Sequence, residues 1–438
     1  MESIRNFWNI IKLEINENPR FIFLVATLLC IPLNYAFNSI ALILLFGVTV
    51  FTFKKKCCKV EIHLLLPIIL YLLMVLSLFW TVDLSRTQSA LLKELPLIIV
   101  PICFILFGNL SALEKQKILK FYSFGIVIFT IFYLIKAIVK FYITNDSSVF
   151  FHHELVTKDV NAIHVSIYVA IAFFYFYTKS NKKIVDFLPL LLLALAVFLL
   201  SSTNTIIILL MICYHLFYSK ISNKLRLKNL ILLIILIFSM SFIGKIKDQL
   251  IEEYETLMTD SSVNDVISKE NKKVYNVSIK QAWTNPVFNQ NDFFPGAAFR
   301  VYQMRIFLEM LQEKGIFWNG FGVDASYSEI EKKGIQYNIF LGNEKQAGYQ
   351  TKNFHNQYIQ IFAELGIFGL LLILTMLFIT IQNAFKNKDF IQIAFAILMI
   401  SLFMTESFLW RQRGITFFIL MYCIFNSDLN LKKQLLIK

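Results

Sequence analysis

The stretch "TKNFHNQYIQIFAELGIFGLLLIL", residues 351–374, sets a polar knot of Asn353, His355, Asn356 and Gln357 directly before an apolar run long enough to cross a membrane. A bilayer core of about 30 Å needs roughly 20 apolar residues in one helix. Such runs recur along the chain, near 20–35, 37–53, 62–80, 90–107, 121–143, 160–178, 184–200, 203–219, 228–244, 356–381, 389–405 and 413–427. The 438 residues are 57% hydrophobic and 16% aromatic with only 14 glycines, which fits neither a disordered chain nor an ordinary soluble domain. The expected fold class is an all-α polytopic membrane protein of about twelve transmembrane helices, with one large outer loop containing short helices.

Lysine and arginine in the short loops set the orientation. "KKKCCK" (54–59), "EKQKILK" (114–120), "KSNKK" (179–183), "KISNKLRLK" (220–228), "KNKD" (386–389) and the tail "LKKQLLIK" all fall on one side if the amino terminus is inside. Both termini are then cytoplasmic, and no cleavable signal peptide is expected. The net charge of +13 reads as this topology signal and not as a nucleic-acid footprint. The chain divides into helices one to nine (1–244), the large outer loop (245–355), and helices ten to twelve with a cytoplasmic tail (356–438). None of the six cysteines lies in the outer loop, so no disulfide framework is implied.

The outer loop opens with "GKIKDQLIEEYETLMTD" and reaches "FPGAAFRVYQMRIFLEMLQEKG" (294–315), where Val301, Met304, Leu308 and Leu311 recur at helical spacing. This predicts a helix lying along the membrane surface. "WNGFGVDASY" (318–327) follows, with Gly320 and Gly322 suited to a tight turn.

Candidate chemistry gathers on the outer side. Its short loops carry "WTVDLSRTQS", "FFHHELVTKD", "SSTN" and "TESFLWRQRG". Arg86, Arg300, Arg305, Arg411 and Arg413 all lie there, against the positive-inside bias. Guanidinium groups bind phosphate or diphosphate through paired hydrogen bonds; anchoring to lipid headgroups is the plainer alternative. His355 sits where a helix dipole disfavours a charged imidazole, leaving a ring able to accept a proton or simply a polar helix cap. Glu364 lies on the same helix as an ionisable group at membrane depth, and Gly366 and Gly369 allow close helix approach. DxD, Walker A, HExxH and GxSxG motifs are missing, so neither metal nor cofactor is expected and the donor must arrive already activated.

The stretch "NFHNQYIQIFAELGIFGLLLIL" resembles the signature of the O-antigen ligase and O-antigen polymerase superfamily: His-Asn, an aromatic residue, an apolar run and Glu-Leu-Gly-x-x-Gly. Arg300 opening a surface helix and the Gly320-x-Gly322 turn match the preceding elements. "TESFLWRQRGITFFI" resembles the carboxy-terminal pattern of ligase-like members from Bacteroidetes-type bacteria. The resemblance implies a glycosyltransferase of the bacterial inner membrane with a periplasmic active site. It would move a glycan from undecaprenyl diphosphate to lipid A-core oligosaccharide, inverting and without metal. His355, Asn356 and Arg300 would be catalytic, and Arg86, Arg305, Arg411 and Arg413 would bind diphosphate. Gly320, Gly322, Glu364, Gly366 and Gly369 would support the site. A repeat-unit polymerase, a protein O-oligosaccharyltransferase and a lipid-linked solute transporter stand as alternatives. Expected partners are the lipid-linked donor, the glycan acceptor and membrane lipids.

Overall fold

Helix boundaries follow local capping chemistry. A computed structural model describes residues 19–427, apart from 54–57, 109, 159, 180–185, 201, 219–225, 229, 232–233, 235–253, 255–256, 265–272 and 344–346. Helices α1 (Pro19–Cys30) and α2 (Tyr35–Phe51) take up the first two apolar stretches, with a turn at Pro32 between them, and the Asn34 side chain accepts from the Ala36 N–H and caps α2. After α3 (Ile62–Leu76), α4 (Leu84–Lys93) and α5 (Pro96–Phe107) comes α6 (Ala112–Thr144). It opens on a capping box in which Ser111 Oγ accepts from Glu114 N–H at 3.2 Å and Glu114 accepts from Ser111 N–H at 2.8 Å. It closes on Asn145 in the left-handed region.

A short turn, α7 (His152–Leu155), leads into α8 (Ala162–Thr178), α9 (Phe187–Leu200) and α10 (Ser202–Tyr218). The ninth expected span, 228–244, falls almost wholly outside the described residues. The chain ends through α14 (Gln357–Asn387), α15 (Phe390–Thr405) and α16 (Gln412–Asn426). Asn356 caps α14 and Asp389 caps α15, each accepting two backbone N–H groups.

Among the described residues, four helical segments are long and apolar enough to cross a membrane: Ile62–Phe79, Leu84–Phe107, Ala112–Thr144 and Gln357–Asn387. Several further apolar helices are shorter. At about 1.5 Å rise per residue, a 17-residue helix such as α8 spans only about 26 Å, which explains why a length criterion separates them. Burial supports a membrane setting independently. α16 is buried from Arg413 to Asn426, and α8 is buried along nearly its whole length. On peripheral α6, by contrast, Ile128, Ile131, Ile135 and Ile138 form an exposed apolar stripe at helical spacing. Such a stripe is stable against lipid and costly against water.

The segment between α10 and α14 has its own core. It contains a parallel pair, β1 (Tyr275–Asn276) with β2 (Asp292–Phe293), and helices α11 (Ile279–Thr284), α12 (Gly296–Lys314) and α13 (Tyr327–Gln336). Most of the opening run "GKIKDQLIEEYETLMTD" lies outside the described residues. The predicted helix is present as α12, but its most buried face differs from the predicted stripe. Phe299, Tyr302, Ile306 and Met310 are buried, whereas Met304 is exposed. The aromatic residues decide this, because Phe299 and Tyr302 pack with Phe288 and Phe294 and bury more apolar area than Val301 or Met304 would.

Candidate active site

A break in α14 fixes the loop segment to the helices. Gly366 has φ 64° and ψ −162°, which interrupts the helical ladder. The freed carbonyl oxygens of Ala363 and Glu364 accept from Phe321 N–H at 2.8 Å and Gly322 N–H at 2.9 Å, while Ile367 N–H donates to Phe317 O at 2.9 Å. A Cβ on Gly366 would come within 2.1 Å of the Trp318 carbonyl oxygen, and one on Gly320 within 2.3 Å of the Glu364 backbone. Gly366 therefore admits a turn of the loop, where the sequence reading had a neighbouring helix in view. Gly369 faces Leu365 and Ile361 of its own helix.

The same turn is gripped from its other side. Val82 N–H donates to Phe321 O at 3.0 Å, the Trp80 indole N–H to Asn319 O at 2.8 Å, and the Thr87 hydroxyl to Val323 O at 2.8 Å. Gly322 packs so closely on Thr81 that a Cβ would lie 2.4 Å from its hydroxyl. Residues far apart in sequence thus meet through backbone bonds that leave little freedom.

His355 stands just before the cap of α14, in the left-handed region at φ 46°, a conformation that costs energy in a residue with a Cβ. Its N–H donates to Asn353 Oδ1 at 3.0 Å, and its ring meets Phe299 edge-on at 5.7 Å. Nδ1 lies 3.7 Å from Glu406 Oε2, and the other carboxylate oxygen lies 3.7 Å from Arg300 Nη2. Arg300 also donates through Nε to Thr405 O at 3.1 Å, and Asn356 donates through its amide to Met404 O at 3.1 Å. Arg300, His355 and Asn356 therefore all converge on the carboxyl end of α15. Glu406, at that end and largely buried, links histidine to arginine.

Glu406 also acts on His153, which lines a cavity of about 680 Å³, a size that suits a small-molecule ligand. Its wall includes Lys93, His153, Lys158 and Arg411 with Tyr35, Asn161, Trp410 and Gln412, and among the described residues it holds no carboxylate. His153 Nδ1 accepts from Ala162 N–H at 3.5 Å. Partial burial and the neighbouring His152 push its imidazole below the ordinary value, against the pull of Glu406, so a neutral ring faces the cavity at neutral pH.

The remaining expected residues take distinct places. Arg411 is exposed and lines the cavity. Arg413 is buried, with its guanidinium 4.0 Å from the centre of the Tyr35 ring. Arg86 is half-exposed, 3.6 Å from Asp83 and 4.9 Å over the Tyr327 ring. Arg305 points the other way along α12, into the loop segment. It bonds Glu309 at 3.1 Å, Asn285 O at 2.8 Å and the Tyr337 hydroxyl at 2.9 Å. Glu364 is buried and accepts from the Gln360 amide.

The fold so described is that of a helical membrane protein with a basic cavity at one end of its bundle. Residues 188–374 match the family described as O-Antigen ligase (Wzy_C), which supports membership of the O-antigen ligase superfamily. No curated protein matches the chain. The matched segment includes Arg300, the Gly-x-Gly turn, His355 and Gly366, whereas Lys93, Glu406, Trp410 and Arg411 lie outside it and reach the site only through the fold.

Proposed function

We propose that the protein is an O-antigen ligase-type glycosyltransferase of the bacterial inner membrane. It takes a glycan from undecaprenyl diphosphate and joins it to a hydroxyl of lipid A-core oligosaccharide on the periplasmic face, in a bundle of about twelve spans. The observation that carries this reading is the His355–Glu406–Arg300 group, whose carboxylate acts on His153 in a cavity wall that carries Lys93, Lys158 and Arg411 and, among the described residues, no carboxylate.

The division of labour follows from the geometry. Glu406 faces Nδ1 of His355, so that nitrogen carries the proton and Nε2 is the acceptor. Nε2 takes the proton from the attacking acceptor hydroxyl. The hydroxyl oxygen bonds to the anomeric carbon as the bond from that carbon to the diphosphate oxygen breaks, and the configuration inverts. The leaving diphosphate gains negative charge, which Arg411 and the neighbouring cavity cations stabilise. Arg300 holds Glu406, and Asn356 holds the end of α15, so both act as positioning groups. Arg86 serves the same anion from the rim. In this reading Arg305 shapes the loop and Arg413 supports Tyr35.

Replacing His355 by alanine should lower glycan transfer by about 10²–10⁴-fold while membrane insertion is unchanged. Retained transfer would sink the assignment. The acceptor is read from a deletion strain: a lost ligase strands long polymer on the carrier lipid, whereas a lost polymerase leaves core bearing at most one repeat.

A further inference from the structure

Lys93 ends α4, and its charge suits the carboxyl terminus of a helix. Its ammonium lies 3.7 Å from Asp324 Oδ2 and 5.1 Å from the centre of the Trp410 ring. The other Asp324 oxygen accepts from the Trp410 indole N–H at 2.7 Å, so one buried carboxylate fixes both the cation and the ring. Burial pushes the Asp324 carboxyl above its ordinary value, while the Trp410 bond and the charges of Lys93 and Arg86 pull it down. Trp410 packs on Tyr327 at 5.7 Å, and Tyr327 carries Arg86 over its face. Lys93 and Arg86 are therefore joined through one aromatic layer, of which Trp410 lines the cavity.

We propose that Lys93 is a binding residue for the donor's diphosphate, held toward the cavity by Asp324 and Trp410, and that the Trp410 indole forms the apolar wall against the sugar attached to that diphosphate. The proposal rests on the transferase reading and deepens it. A diphosphate esterified at both ends carries two negative charges, and Arg411 and Lys93 supply two cations on one cavity wall.

The plain alternative is that Lys93 only neutralises acids beneath it. Glu94 and Glu364 do line a space of about 20 Å³ with Lys93 and Asp324, and one Glu94 oxygen there is buried without a hydrogen-bond partner. A lysine serving those acids alone would be buried with them. The Lys93 side chain is instead 44% exposed and opens into the larger cavity.

The test uses the full-length protein in detergent and farnesyl diphosphate as the probe, with farnesyl monophosphate as the comparison. Lys93→Met should weaken farnesyl diphosphate binding roughly tenfold, and Lys93→Arg should stay within about threefold of the wild type because the charge is kept. In the Lys93→Met/Asp324→Asn double variant the local charge is balanced again, so the fold is relieved of an unpaired acid. Binding should remain weak there. Recovery in the double variant, or wild-type affinity in Lys93→Met, overturns the proposal. If Arg411→Ala loses binding while Lys93→Met keeps it, the transferase reading survives and this one does not. If the wild type does not prefer the diphosphate to the monophosphate, both fail.

Discussion

Two arginine-bearing regions treat charge in opposite ways. In the loop segment, Arg305, Lys333, Glu309, Glu313 and the Tyr337 hydroxyl close on one another, and Lys333 alone reaches Glu309 at 2.9 Å and Glu313 at 2.8 Å. At the cavity, Lys93, Lys158 and Arg411 line an open space whose wall, among the described residues, holds no carboxylate, and Lys93 reaches Asp324 behind that wall at 3.7 Å. The first region satisfies its charges internally and gains structure. The second pairs Lys93 with Asp324 yet turns its cations toward a space that a ligand can enter, and that difference separates a cation that builds from one that binds.

The carboxylates show the same contrast. For Glu309, burial raises the carboxyl, but hydrogen bonds from Tyr337, Lys333 and Arg305 outweigh it and hold it below its ordinary value of about 4.5. For Asp324, burial prevails and the carboxyl is held above the ordinary value. A paired network and a wall kept open for an anion thus leave opposite marks on their acids.

The largest expected effect comes from severing the turn through which the two regions meet. Gly366→Ala places a methyl group against the Trp318 carbonyl and also forces a residue with a Cβ into a conformation essentially confined to glycine, which costs about 1–3 kcal/mol before any clash. The variant should insert into membranes yet lose transfer and show a cleavable loop in limited proteolysis. A fully active Gly366→Ala enzyme would show that the turn does not set the site. Next in size is a crossed pair. Arg305→Ala should destabilise the loop segment by about 1.5–3 kcal/mol in thermal unfolding while farnesyl diphosphate binding persists at low temperature. Arg411→Ala should leave unfolding unchanged and weaken that binding about tenfold or more. Equal effects of the two on binding would erase the distinction.

The smallest effect is on pH. Because the folded Glu309 is held below its unfolded value, its stabilisation is complete above about pH 4.5 and is lost as pH falls through the folded value. Thermal unfolding followed from pH 6 to pH 3 should show this loss, and Glu309→Gln should flatten it. Asp324 acts with the opposite sign, since its raised folded value favours the folded state as the pH falls.

The helical, apolar character of the fold was legible in the sequence because a bilayer imposes length and composition on its spans, and among the described residues four segments meet that length. A polar cap before α14 and the Gly320-x-Gly322 turn were legible too, since their function is local, although the sequence reading put the cap at His355 and it is Asn356 that bonds Tyr358 N–H and Ile359 N–H. Glu406 was not legible as a partner of His355, because α15 and α14 are brought together by packing that no spacing encodes. Lys93 reads in sequence as an ordinary basic helix end, and only Asp324 and Trp410, both distant, give it a direction. Arg300 and Arg305 were indistinguishable by residue type. Five residues apart in sequence, they stand about 140° apart round the helix and leave α12 toward different neighbours, Glu406 and Glu309. The buried face of α12 was misjudged for a related reason, since the aromatic partners that claim Phe299 and Tyr302 come from residues 288 and 294 outside the helix.

The break at Gly366 also says what the histidine is attached to. The part of α14 between Asn356 and Glu364 sends Ile359, Phe362 and Ala363 into the core of the loop segment, and its last carbonyls are bonded to residues 321 and 322. Mechanically, His355 is mounted on the loop as much as on the membrane bundle. Small shifts in how residues 296–322 pack are thereby delivered to the imidazole, so tuning of the base is open to positions that never touch a substrate.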